Sequence, residues 1–517
     1  MIANCVELVD AVELVSFDIF DTLLLRPFVK PSDVWREVQV KLLAPGYAVC
    51  RKMANRLSYE ANSSYDPTLD DAYRYIPFYK FCKKTELQVE MDCLSVNPDM
   101  LKIWNYAGKQ NKIRVISSDM YLPVKFIEKV LRKNGISGWD KLYVSSELQK
   151  TKRSGTLFKQ LISDFNAVPL NKMLHIGDNE QSDVKMPSEI GMASFYYEPP
   201  MKRFLRSNPF VRRFLKYDTS LSASRIVASL SRINNGIQTA NERSYWIKIG
   251  AVLGSVLAAT YVRFIAEQVK SHKIQRVVFI ARDGYSLMPI YDLLNTGVPA
   301  SYVYAPRLVL KSKDSIDLDE YVGYVKSLGI TEDRVAVVDT CTRSFSGQKL
   351  VEKALGRKVL GIFLVSFMPP KNGVTLYYDP GLRFRWYNFA EFIFSAPNPP
   401  IARIRNLQPV FIDNIPECEK YRIENYPILS RAMIESTATL FNDNVIIKPK
   451  QWISWINSFI DCMTEFDNNM FAKVSHCSDA AHKSIFPVFI PPMKKGVRYY
   501  IAPLAKRLSY FLGIGVH

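Results

Sequence analysis

The chain has no C-x-x-C pair anywhere in its 517 residues. Its eight cysteines (Cys5, Cys50, Cys82, Cys93, Cys341, Cys418, Cys462 and Cys477) are scattered, which excludes a zinc-ribbon pattern and a disulfide framework and fits a reducing compartment. Histidine is scarcer still, at five, and unclustered, so no imidazole-built metal centre is expected. The G-x-x-x-x-G-K-[ST] spacing of a P-loop is absent. So is any nucleic-acid module with interleaved aromatics. Residues 1–14 carry Glu7, Asp10 and Glu13 but no basic n-region, so they are not expected to be a signal peptide. The longest apolar stretch, residues 249–262, lies between Lys248 and Arg263 and is shorter than a bilayer-spanning helix requires. Acidic residues are outnumbered, 50 against 68 Lys and Arg, leaving a net charge of +18. That balance points to an anionic partner: a phosphorylated substrate, an acidic membrane surface or, last in rank, nucleic acid. The expected location is cytoplasmic, or peripheral at the inner face of a membrane.

What is present centres on residues 15–24, Val-Ser-Phe-Asp-Ile-Phe-Asp-Thr-Leu-Leu. An apolar run reads as a buried strand, and Asp18 stands at its C-terminal end, where open α/β sheets build their sites. A carboxylate there can attack phosphorus or carbon to form a covalent intermediate, or hold a divalent cation. The plainer reading is a turn-starting aspartate. Three further stretches tip the balance. Residues 113–119 form a strand pattern ending in Ser117-Ser118-Asp119, Lys152 precedes a helical pattern that begins near Leu157, and residues 173–179 end in Gly177-Asp178-Asn179, with Asp183 five positions past Asp178.

In this order the four stretches resemble the motifs of the haloacid-dehalogenase-like (HAD) hydrolase superfamily, over residues 12–200. The resemblance implies Asp18 as nucleophile, Ser118 as phosphate-binding hydroxyl, Lys152 as stabiliser of phosphate charge, and Asp178, assisted by Asp183 or Asn179, as ligand of Mg2+. The residue types suit that chemistry, because Lys and Ser supply charge-assisted hydrogen bonds to non-bridging oxygens and magnesium prefers oxygen ligands. One position departs. Phosphatases of this superfamily carry a second Asp two residues after the nucleophile as general acid and base; here that residue is Phe20, and the extra carboxylate is Asp21. Strand alternation puts Asp21 on the opposite face from Asp18 unless the loop twists. The backbone carbonyl of Phe20 can still take the metal, whereas losing the acid costs roughly 10²–10⁴ in rate. Members that cleave carbon–halogen bonds lack that second Asp too.

The expected fold is α/β: a HAD-like Rossmannoid domain over residues 1–200, a basic linker over 201–243, a second parallel α/β domain over 244–400, and a helical region over 401–517. Within the first domain, residues 27–110 read as a helical cap, with Ser32 at a helix start, Val34, Val38 and Leu42 on one stripe, and Tyr73, Tyr75, Phe78 and Tyr79 as packing. Strands are expected at 276–281, 301–304, 335–338 and 361–366. Their ends carry Arg282, Asp283, Arg307, Asp339, Thr342, Arg343, Ser344 and Ser346, the elements of an anion site in which only Asp283 and Asp339 lie near enough in sequence to offset the arginines. The segment from Ser344 to Gly347, leading into a helix, could cradle a phosphate, and the element order resembles the phosphoribosyltransferase fold, although its phosphate loop matches poorly. Ala-Arg-Asp-Gly-Tyr at 281–285, with Glu391 to Pro397 downstream, resembles long two-domain hydrolases of bacterial capsule and O-antigen gene clusters. That resemblance implies a role in surface-polysaccharide assembly. Trp452, Trp455, Phe459 and Met463 form a helical core stripe, and the basic apolar tail from Lys494 to His517 suits either an anionic membrane surface or docking on the protein. The function expected is magnesium-dependent hydrolysis of a phosphorylated sugar or related metabolite. The alternative is a weakly active N-terminal domain, with a glycosyl- or phosphoribosyl-type transfer carried by residues 245–400.

Overall fold

A computed structural model of the chain describes residues 2–62, 65–233, 241–310, 312, 315–380, 386–415, 417–477 and 485–487. The tail expected to be amphipathic, Lys494 to His517, lies outside them. The fold is α/β with two five-stranded parallel sheets, one in each of two compact units.

In unit 1 the strands are β1 (Leu14–Phe17), β2 (Ile113–Ser118), β3 (Lys141–Val144), β4 (Met173–Gly177) and β5 (Ala193–Tyr196), in the order β3-β2-β1-β4-β5. All four residues of β1 are buried, because the strand is central and covered on both faces. Register pairs Ser16 with Val115 on one side and His175 on the other, so the C-terminal ends of β1, β2 and β4 finish together.

The cap is α1 (Asp33–Lys41), α2 (Tyr47–Ala61), α3 (Leu69–Arg74) and α4 (Cys82–Cys93). Ser32 is the residue at the N-terminus of α1, and Val34 and Val38 are fully buried. The cap is narrower than residues 27–110: α5 (Pro98–Lys109) packs Trp104 against Phe17 of β1 at 5.2 Å and is part of the sheet's own covering layer. Helical periodicity identifies an apolar face without saying what it covers. For the same reason the expected aromatic packing holds for Tyr73 but not for Tyr75 or Phe78, which is 91 % exposed. At the centre of the cap the Glu86 carboxylate accepts hydrogen bonds from Arg51 (2.9 Å twice), Tyr47 (2.6 Å), Tyr73 (2.8 Å) and Trp35 (3.2 Å). Both charges are fully buried, and breaking such a pair by removing one partner costs about 3–5 kcal/mol.

The stretch 201–243 is no solvated linker. It holds α6 (Pro200–Ser207), α7 (Pro209–Tyr217) and α8 (Leu221–Ile233). The chain leaves unit 1 after Ser207, contributes residues 208–218 to unit 2, returns to unit 1 for residues 219–232, and then enters unit 2 for good. In α7, Phe210 and Phe214 pack on Trp455 at 5.1 and 4.9 Å. In α8, Ser224 accepts the Val29 N–H (2.7 Å) and donates to Asp33 (2.6 Å). The basic residues lie on the outer faces of helices whose apolar faces are core.

Unit 2 is built on β6 (Arg276–Ile280), β7 (Ala300–Val303), β8 (Val335–Thr342), β9 (Leu360–Ser366) and β10 (Gly373–Tyr378), in the order β10-β9-β8-β6-β7. β10, mostly half-buried at the sheet's edge, escaped the sequence reading because it lacks an apolar run. β8 runs four residues past the expected end at Val338, since all eight of its residues are buried despite the polar Asp339, Thr340 and Thr342. The continuous helix α9 (Glu242–Ser271) is long and apolar enough to cross a membrane, against the expectation from its uninterrupted apolar stretch, yet 83 % of that window is buried in protein. Gly250 lets it approach α10 (Glu417–Asn442): a Cβ there would stand 2.2 Å from the Leu429 carbonyl oxygen. The stripe of α11 (Pro449–Asp461) buries Trp452, Trp455 and Phe459, whereas Met463 falls beyond the helix end.

Candidate active site

The Asp18 N–H donates to the Ile176 carbonyl (2.9 Å), continuing the β1–β4 ladder by one residue and fixing the carboxylate at the strand end. The next turn is tight: Leu24 N–H donates to Ile19 (2.7 Å) and Asp21 N–H to Leu24 (2.8 Å). Asp21 takes φ 61°, in the left-handed region, and that twist breaks the strand alternation. Asp21 therefore lines the same cavity as Asp18, together with Phe20.

Lys152 Nζ stands 2.6 Å from Asp18 Oδ1 and 2.6 Å from Asp183 Oδ1. Its loop is pinned from β2, because Asp119 accepts the N–H groups of Lys152 (2.7 Å) and Arg153 (3.2 Å). Ser118 ends β2 and is buried at the cavity wall. After β4, the Asn179 side chain accepts the N–H groups of Gln181 and Ser182 (both 3.0 Å) and so starts the π-type turn Glu180–Lys185. That turn folds Asp183 back onto Gly177, where any Cβ would stand 2.4 Å from the carboxylate. Asp183 accepts from the Asn179 N–H (3.0 Å) and meets His175 Nε2 (3.2 Å), and His175 Nδ1 meets the Ser16 hydroxyl (3.0 Å). His175 is thus a buried histidine with both nitrogens engaged.

Three carboxylates share one ammonium. Burial raises all of them, but Lys152 and His175 more than offset it at Asp183, which is held well below the usual carboxylate range. Burial pushes Asp18 up to about 7, with Lys152 opposing and Asp183 adding to the rise. Burial and then the charges of Asp18, Asp21 and Asp183 push Asp178 up to about 8. Asp21 is raised by burial, with Arg26 opposing. Carboxylate oxygens of Asp18, Asp178 and Asp183 lie within 4.8 Å of one another. Hard oxygen donors in negative excess fit a divalent cation such as Mg2+.

The cavity is about 350 Å³. The sequence reading did not find Arg26, Trp35, Asn55, Asp119, Tyr121 or Arg153 in its wall. Asp119 and Arg153 had a signal, since each directly follows a motif residue, Ser118 and Lys152; the others are delivered by the cap and by loops with no motif.

In unit 2 the expected site residues separate. Asp283, after β6, accepts from the Thr340 hydroxyl and N–H. Burial raises Asp283, and Thr340, Arg282 and Arg307 oppose while Glu391 adds to the rise. Burial and Asp283 push Asp339 up to about 7 against Arg307. Arg282 pairs with Glu419 at 3.6 Å. Acids far away in sequence, Glu391 and Glu419, thus supply charge that the sequence reading did not count. Arg343 and Ser344 are exposed past the end of β8, and Ser346 opens the helix Ser346–Leu355, with Gly347 close to Asp339.

Unit 1 gathers its four motif stretches at the C-terminal side of one parallel sheet. No family model and no curated protein matches the chain. Among solved structures, an HAD phosphatase from Thermococcus onnurineus is similar at 17 % identity over 36 % of this chain and 86 % of its own, with a TM-score of 0.29. An HAD family enzyme from Bacteroides thetaiotaomicron is similar at 13 % identity over 37 % and 95 %, TM-score 0.28, and has also been solved as a magnesium complex. The L-2-haloacid dehalogenase RSc1362 is similar at 17 % identity over 36 % and 86 %, TM-score 0.28.

Magnesium at a hundredfold excess over its Kd should stabilise the protein by about 2.7 kcal/mol. A thermal melt of wild type against Asp178→Asn checks this; the expected outcome is a rise in Tm for wild type and little or none for the variant.

Proposed function

We propose that the chain is a HAD-like hydrolase whose unit 1 cleaves phosphate esters through an aspartyl-phosphate on Asp18. The observation that carries the reading is the shared ammonium: Lys152 stands 2.6 Å from the nucleophile and 2.6 Å from Asp183, in a cavity that Ser118 also lines. An Asp18 carboxylate oxygen attacks phosphorus, and the ester P–O bond breaks. Ser118 and Lys152 hold the non-bridging oxygens as charge redistributes. The departing alkoxide takes its proton from Asp21, which the left-handed turn brings to the cavity in place of an acid at position 20. Water then attacks the phosphorus of the aspartyl-phosphate, Asp21 takes the water's proton, and the bond to Asp18 breaks to release inorganic phosphate. Asp18, Asp178 and the Phe20 carbonyl would hold Mg2+, with Asp183 in support, and the ion supplies positive charge that screens an anionic nucleophile from an anionic substrate. Phosphorylated sugars and related metabolites are the substrate class, in the surface-polysaccharide setting that the whole-chain resemblance implied.

A panel of phosphate esters assayed with magnesium tests the reading. Asp18→Asn should abolish turnover; activity surviving in that variant removes Asp18 from the chemistry. Asp21→Asn should lower kcat by about 10²–10⁴ while leaving the magnesium-dependent melt in place, since its role is proton transfer. An unchanged kcat makes Asp21 a turn residue only.

A second reading concerns unit 2. Asp283 follows β6 and Asp339 lies in the C-terminal half of the adjacent strand β8, and between these two strands the order reverses, the crevice where open α/β sheets take ligands. We propose that a phosphate-bearing sugar binds there, its hydroxyls on the carboxylates and its phosphate on Arg307. A thermal melt with nucleotide sugars, phosphoribosyl diphosphate and pyrophosphate should show a Tm rise for wild type that Arg307→Ala loses. Equal responses in the two proteins dismiss the site.

A further inference from the structure

Arg26 follows the two-residue strand Leu24–Leu25 that closes the Asp18 loop, and it lines the catalytic cavity. Its side chain is 5 % exposed. Its guanidinium carbon lies over the Phe20 ring, 4.2 Å from the centroid. Along one edge, Nε and Nη2 donate to the two oxygens of Glu90, on α4 of the cap, at 3.3 and 3.4 Å. The third nitrogen, Nη1, has no hydrogen-bond partner among the described residues. Asp21 feels the Arg26 charge but makes no ion pair with it. The guanidinium is therefore held beside an aromatic ring and on one edge by a carboxylate, with both N–H groups of Nη1 left over in a group that cannot shed its proton. Nη1 is not sealed off from solvent, so its N–H groups are open to an acceptor that enters the cavity.

This gives Phe20 a positive role. A carboxylate two residues after Asp18 would be drawn to the guanidinium beside it and cancel the charge that a ligand could use. A phenyl ring instead supplies a cation–π seat that fixes the plane of the fork and leaves its outer edge unspent. The cavity, at about 350 Å³, sits at the small end of ligand sites, and its cationic residues are Lys152, committed to Asp18 and Asp183, the exposed Arg153, and the buried Arg26.

We propose that Arg26 determines substrate choice by receiving a second anionic group, so that the preferred substrates are small phosphate monoesters carrying a carboxylate or a second phosphate a few bonds from the ester. This rests on the phosphate-ester reading of unit 1 for which group faces Asp18, but the selectivity of the cavity is measurable without turnover.

The test is calorimetric titration of the full chain carrying Asp18→Asn, in magnesium, with three probes of similar size: phosphoglycolate, 1,3-propanediol bisphosphate and propyl phosphate. The two ligands with anionic tails should bind at least about tenfold tighter than propyl phosphate, the scale of one charge-assisted hydrogen bond. Whichever of the two binds tighter tells a carboxylate from a phosphate as the second group. Adding Arg26→Lys should shrink the ratio, and Arg26→Gln with Glu90→Gln, which leaves no unpaired buried charge, should abolish it. In the enzyme with Asp18 intact, Arg26→Lys should raise KM for the anionic-tail ester more than it lowers kcat. Equal affinity for the three probes overturns the proposal before any Arg26 variant is made, as does a ratio that survives in folded Arg26 variants. A failed hydrolase reading would appear separately, as turnover that persists in Asp18→Asn.

Discussion

One ammonium group among three buried carboxylates is the constraint on which unit 1 depends. Lys152 can neutralise only part of the charge on Asp18, Asp178 and Asp183, and Asp183 secures the larger share because His175 and the Asn179 amide also face it. Asp18 and Asp178 are left in deficit, and that deficit is what makes the strand ends a place for a cation and a phosphoryl group. The arrangement requires β1, β2 and β4 to be parallel and in register, since the nucleophile, the hydroxyl and the acidic turn each follow a different strand. A slip of one residue in β1 would turn Asp18 into the sheet and bring Phe17 or Ile19 to the lysine.

Asp18, Ser118 and Asp178 were legible because each ends or follows an apolar run, and the physics of parallel sheets decides where such ends go; Lys152 was legible only by its place before a helical pattern. Asp18, Ser118, Lys152, Asp178 and Asp183 all meet at one cavity or its floor. Asp21 was misplaced by strand alternation, which holds only while φ stays extended; at 61° the period of two has already ended. Arg26, Trp35 and Asn55 were invisible for a different reason. Nothing local distinguishes an arginine that reaches a cavity from one in solvent until the cap has closed over it. The same blindness made a linker of α6 and α7, whose charged residues are all basic although their apolar faces are buried. In unit 2 the polar string from Asp339 to Thr342 looked like a loop because polar side chains are rare in a central strand; here they stay in the sheet, fully buried or nearly so.

The cap shows how much polar machinery a helical insertion can hide. Glu86 draws five hydrogen bonds from four residues, and Arg51 lies over the rings of Trp35, Tyr73 and Tyr121. Trp35 and Tyr121 are also cavity walls. A buried ion pair is weak evidence for stability, but its directional bonds allow few alternative packings. The cavity's roof is therefore set by geometry that apolar contacts alone would leave looser.

The path of the chain between the two units bears on how the protein is made. Domains generally fold as units, N-terminal first, while the ribosome is still adding residues. Unit 1 cannot complete itself when its five strands have emerged, because Asp33 awaits Ser224, 191 residues later. Before that helix arrives the ribosome delivers α7, which belongs to the other unit, and whose Arg213 meets its partner Asp461 only 248 residues further on. For nearly half of synthesis, then, Phe210, Val211 and Phe214 stand on a short helix with no surface to cover them. α7 is thus a segment of the nascent chain that needs shelter, from a chaperone or from the tunnel itself, until α11 is delivered.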